Sequence, residues 1–149
     1  ADHSAESISP YYQTMIGKFE VPIAFYKPGT KLTADTTRVI QQIDIMPSVL
    51  DYLNYPKKYF AFGSSVFNPT RPGMAVQLNA GLWQIVKQPY FFVFEKTSLG
   101  YYNFITDSLL TKNLVKTTNP SAYFDIENEI KAVMQVYSRS LNRNEMIVK

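Results

Sequence analysis

Between Met74 and Phe104 four short apolar runs follow one another with almost no chain between them. They are Met74–Leu78, Leu82–Val86, Tyr90–Glu95 and Gly100–Phe104, separated by Asn79-Ala80-Gly81, Gln88-Pro89 and Thr97-Ser98-Leu99-Gly100. A parallel crossover needs a dozen or more residues, whereas an antiparallel hairpin needs only a few. The spacing therefore fits an antiparallel meander. Downstream, Pro120-Ser121 opens a predicted helix running to about Asn144, with Phe124, Ile126, Ile130, Val133, Met134, Tyr137 and Leu141 as its apolar stripe. Its acidic residues Asp125, Glu127 and Glu129 come early and Arg139 and Arg143 late, matching the helix macrodipole. Asp107–Lys116 reads as a polar, leucine-bearing linker.

The first half is less regular. Val21–Lys27 is short, apolar and rich in branched and aromatic residues, which predicts a buried strand ended by the Pro28-Gly29 turn. Thr30–Thr37 is a polar loop. Met46, Val49, Leu50 and Leu53 fall at helical spacing with Pro47 in the first turn, so a short helix is expected from about Met46 until Asn54-Tyr55-Pro56 stops it. Lys57–Pro72 has the composition of an ordered excursion packed by its own side chains. With 149 residues, 46% of them apolar and 18% charged, the chain has the length of one domain and enough apolar content to exclude disorder. No run approaches the roughly 18–20 apolar residues that span a bilayer.

Composition narrows the chemistry. Without cysteine there is no disulfide, thiolate metal site or cysteine nucleophile, and with one histidine any imidazole chemistry rests on His3. The net charge of +3 is scattered, with Lys57-Lys58 the only adjacent basic pair, so nothing argues for nucleic acid. Asp2 beside His3 can ligate one cation, although two ligands fall short of the three or four that zinc sites use. Glu6, Ser7, Tyr11 and Tyr12 follow closely enough to line a substrate pocket, or else form an ordinary loop. Asp44 reads as a helix cap, and Ser64 and Ser65 lack any His base that would make either a nucleophile. The aromatics from Tyr90 to Phe104 read as core and cross-strand pairs, with sugar or lipid stacking as the alternative.

Several motifs in order carry a resemblance. Ala1-Asp2-His3-Ser4-Ala5-Glu6-Ser7, Gly17, Val21-Pro22-Ile23-Ala24-Phe25-Tyr26-Lys27-Pro28-Gly29, Gln42-Ile43-Asp44-Ile45-Met46-Pro47-Ser48-Val49-Leu50-Asp51-Tyr52-Leu53 and Phe62-Gly63-Ser64-Ser65-Val66-Phe67 resemble the C-terminal portion of a sulfatase-like hydrolase of the alkaline phosphatase superfamily. Within it they most resemble the membrane-anchored, lipoteichoic-acid-synthase-like phosphoglycerol transferases. The resemblance covers about residues 1–70, and about 73–149 fits the group's C-terminal sheet and helix less specifically.

The resemblance implies an α/β scaffold, of which this piece is an α+β part: a partial alkaline-phosphatase-like sandwich with a C-terminal antiparallel meander and a terminal helix. It also implies metal-dependent transfer or hydrolysis of sulfate or phosphate esters in the bacterial cell envelope. Asp2 and His3 match the family's metal-binding Asp-His pair, for a divalent cation such as Mn, Zn, Ca or Mg, of which Mg suits imidazole least. The Val21 strand becomes internal, and Asp44–Leu53 a structural signature.

Ser4 stands where family members commonly have Gly, and a downstream His of related phosphoethanolamine transferases is missing. The nucleophile and the acidic ligand are expected upstream of Asp2, so no catalytic nucleophile is assigned within the chain. The expected partners are the remaining N-terminal part of the same protein and a phospholipid or ester substrate. The piece alone is expected to be inactive, soluble and prone to self-association. The contrasting expectation is a non-enzymatic α+β module that binds a partner or glycan through its aromatic face.

Overall fold

The computed structural model describes residues 2–4, 6–31, 35–68 and 70–148. Ala1 and Ala5 of the opening motif, and part of the polar loop read over Thr30–Thr37, lie outside them. The four runs form β1 (Ala75–Asn79), β2 (Leu82–Lys87), β3 (Tyr90–Phe94) and β4 (Ser98–Asn103), hydrogen-bonded in the order β1-β2-β3-β4 with every pair antiparallel. At the first hairpin Ala80 and Gly81 both have positive φ, 49° and 81°, as a two-residue type I′ turn requires. β4 begins earlier than its apolar run because the β3–β4 register shifts between Val93 and Phe94, which pairs Phe94 with Ser98.

Two helices accompany the sheet. The short α1 (Ile45–Tyr52) follows a 3-10 turn over Gln42–Asp44, and the long C-terminal helix is α2 (Phe124–Asn142). The strands alternate between two buried faces. On one, Ile85, Phe92, Phe94 and Tyr101 meet Tyr123 just before α2 and Ile126 and Ile130 on it. Complete burial of side chains such as Ile85, Phe92 and Ile130 stabilises the fold by roughly 1.5–3 kcal/mol each. On the other face, Phe91 and Val93 pack against Ile16, with Tyr11, Met15, Leu82, Val86 and Tyr102 around them. The N-terminal segment thus covers the sheet surface that α2 leaves open. Within the expected stripe of α2, Ile126 and Ile130 are buried, but Phe124, Tyr137 and Leu141 are exposed. Tyr137 nonetheless meets the rings of Phe62 and Trp83, at 5.4 and 6.2 Å between centroids.

The first half departs from expectation at Val21–Lys27. The run is extended, and Val21, Ile23 and Phe25 are half-buried while Pro22, Ala24 and Tyr26 are exposed, but it is not a strand. It has the alternation of a pleat without a partner strand among the described residues, and the ladder bonds of a sheet cannot form from one extended segment alone. Asp44 works differently from a simple cap: its buried carboxylate accepts the backbone N–H groups of Gln41 and Ser64, at 3.0 and 2.8 Å. It joins the start of α1 to the Gly63-Ser64 loop.

Candidate functional site

The N-terminal segment is organised by turns rather than by a regular element. Tyr11–Gln13 and Gly17–Phe19 form 3-10 turns, stitched by Thr14, whose hydroxyl donates to the Tyr11 carbonyl at 2.7 Å and accepts from the Gly17 N–H at 3.0 Å. Gly17 allows this closure, because a Cβ there would collide with the Tyr11 carbonyl oxygen. Ile16, between the two turns, is the residue that enters the core beside Phe91 and Val93. The turns are therefore anchored to the sheet.

Residues 3 and 4 fold back onto this anchor. The Ser4 backbone N–H donates to the Lys18 carbonyl at 2.8 Å, and the Ser4 hydroxyl donates to the same oxygen at 3.1 Å. His3 Nδ1 lies 2.8 Å from the Ser4 carbonyl. A carbonyl can only accept, so Nδ1 is the donor in this contact. Nε2 is 3.7 Å from the Asp2 carboxylate oxygen, and both side chains are largely open to solvent.

This fold-back encloses a cleft of about 510 Å³ lined by His3, Ser4, Glu6, Ser7, Tyr12, Gln13, Lys18 and Phe19. Of the residues singled out in the sequence, His3, Glu6, Ser7 and Tyr12 converge on it, and Asp2 stands beside His3. Tyr11 does not line it. Its ring packs under the sheet, and its hydroxyl donates to the Glu20 carboxylate. Burial first, and then that hydrogen bond to a carboxylate, push the Tyr11 phenol well above its usual range, so it stays neutral. Gln13, Lys18 and Phe19 escape sequence reasoning because no local spacing marks them, and Ser4, noted there only where the family commonly has Gly, meets Lys18 across fourteen residues.

The donor set fits a divalent cation in kind. A carboxylate oxygen and an imidazole nitrogen face one another, and the second ring nitrogen is held by a backbone carbonyl, the usual way a ligating imidazole is oriented. Among the described residues no group of three or more His, Asp or Glu side chains converges, so Asp2 and His3 are a pair without further protein ligands there. Ser64 and Ser65 are structural: the Ser65 hydroxyl donates to Asp51, and Ser64 binds Asp44 through its backbone. Of the aromatic residues of β3 and β4, Phe91, Phe92, Phe94 and Tyr101 are buried in the core, whereas Tyr90 and Tyr102 are half-buried. No helix is long and apolar enough to cross a membrane among the described residues. No family model matches the chain, and no curated protein matches it in sequence.

Proposed function

We propose that the chain is the C-terminal part of a metal-dependent sulfatase-like hydrolase or phosphoglycerol transferase acting on sulfate or phosphate esters at the cell envelope. In this reading its meander and α2 belong to a larger alkaline-phosphatase-like sandwich. The observation that carries the proposal is the orientation of the pair: His3 Nδ1 is engaged by the Ser4 carbonyl and Nε2 lies 3.7 Å from the Asp2 carboxylate, beside a cleft lined by Glu6, Ser7 and Tyr12.

Asp2 and His3 would hold the cation, with further ligands and the nucleophile from the upstream part of the same protein. A bound cation supplies Lewis-acid polarisation of the transferred group and lowers the nucleophile's pKa. The residues of this chain orient the imidazole, set one wall of the cleft and keep the Tyr11 phenol neutral beneath it. The exposed Tyr12 and Phe19 rings offer apolar contact to the organic part of an ester, and Glu6, Ser7 and Gln13 offer hydrogen bonds.

The test is the protein extended upstream of Ala1, assayed for metal content and for hydrolysis of an aryl phosphodiester and an aryl sulfate. Asp2→Ala and His3→Ala are each expected to lower bound metal at least about tenfold and to abolish turnover. Wild-type metal content and rate in both variants sink the proposal, as does turnover by the 149-residue chain alone.

A further inference from the structure

Ser4 has a role that its residue type does not announce. It sits directly after the Asp2-His3 pair and makes contacts in two directions. Toward the pair, its carbonyl accepts the His3 Nδ1 proton at 2.8 Å. Toward the fold, its N–H and its hydroxyl both donate to the Lys18 carbonyl, at 2.8 and 3.1 Å. Lys18 belongs to the 3-10 turn Gly17–Phe19, whose closure depends on the Thr14 hydroxyl and the side-chain-free Gly17, and the turn hangs from Ile16 in the sheet-facing core. A continuous series of contacts thus runs from Phe91 and Val93 through Ile16, the turn and Ser4 to the imidazole.

Asp2 and His3 have no other anchor of this kind among the described residues. Both are solvent-exposed, and neither belongs to a helix or strand. An exposed ring outside any helix or strand samples many rotamers unless something holds it, and each rotamer in which Nε2 points away from Asp2 is lost to a shared cation.

We propose that Ser4 is the positioning residue of the Asp2-His3 pair, its hydroxyl fixing the backbone that presents the His3 ring. A glycine at this position could donate through its N–H but would lack the second bond and add backbone freedom. The proposal rests on the reading of Asp2 and His3 as a cation-binding pair.

The experiment uses Mn²⁺ as the probe on the full 149-residue chain. Because His3 is the single histidine, its ring signals in the NMR spectrum need no assignment, and their paramagnetic broadening during Mn²⁺ titration reads binding at this ring. Ser4→Ala is expected to weaken the apparent Mn²⁺ affinity roughly 3- to 10-fold, the effect of one lost hydrogen bond on an ordered ligand. Ser4→Thr, which keeps the hydroxyl, is expected to restore affinity to within about twofold of wild type. The urea midpoint, measured in parallel, separates this from general destabilisation, since a merely structural role would move it without rescue of Mn²⁺ binding by threonine.

Wild-type affinity in Ser4→Ala, with weakened affinity in Asp2→Ala, overturns the role of Ser4 and leaves the pair standing. Wild-type broadening of the His3 signals in Asp2→Ala, or no saturable broadening of them in the wild-type chain, overturns the cation-binding reading and the role of Ser4 with it.

Discussion

Single polar residues hold the irregular half of this protein together, and they do so by serving backbone groups. Ser48 is fully buried; its hydroxyl donates to the Asp44 carbonyl and accepts the Val66 N–H at 2.9 Å. Ser48→Ala strands the Val66 N–H in a half-buried setting, which is expected to cost about 1–3 kcal/mol. Urea unfolding measures it, and an unchanged midpoint would mean that solvent reaches Val66. Arg38 acts similarly from the other side, its guanidinium donating to the carbonyls of Val66, Asn68 and Arg71 at 2.7, 3.1 and 2.9 Å. Gly63 completes the arrangement, since a Cβ there would collide with the Ile43 carbonyl oxygen. In the sequence Ser48 and Gly63 read as parts of the resemblance motifs, and nothing there marks their contacts or those of Arg38. Their partners lie about twenty to thirty positions away, and no periodicity records such a distance.

Elements with a strong repeat behave as their pattern demands. The meander was legible because short turns leave a strand no neighbour but the next one, and α2 because Ile126, Ile130, Val133 and Met134 share one face. Ile130 is completely buried against the sheet, whereas Val136 on the same helix is 55% exposed. Ile130→Ala is expected to destabilise the fold by about 2–5 kcal/mol and Val136→Ala by under about 0.5 kcal/mol, compared by thermal and urea unfolding. Equal effects would mean that α2 does not dock by this face. Val21–Lys27 shows the limit of pattern. Its branched and aromatic residues favour an extended backbone, and the backbone is extended, but a strand exists only where another strand meets it.

At the scale of the whole molecule, the two halves differ in what they bury. The sheet is covered on both faces, by α2 and by the Ile16 segment, while the α1 region leaves Met46, Val49 and Leu53 exposed, Leu53 at 66%. Apolar side chains at helical spacing on the surface favour association. Light scattering of the isolated chain is therefore expected to give a mass above that of the monomer, and Leu53→Glu with Met46→Glu to restore the monomer; a monodisperse monomer in the unmodified chain would refute this. Sequence alone determined the meander and the two helices, because each rests on neighbours within a few residues. Tertiary structure decided which face of each element is covered, that Tyr11 turns under the sheet while Tyr12 lines the cleft, and that Ser4 ties the Asp-His pair to Lys18. Those outcomes depend on contacts between distant segments, and such contacts are set by packing and by the satisfaction of backbone hydrogen bonds rather than by local residue preference.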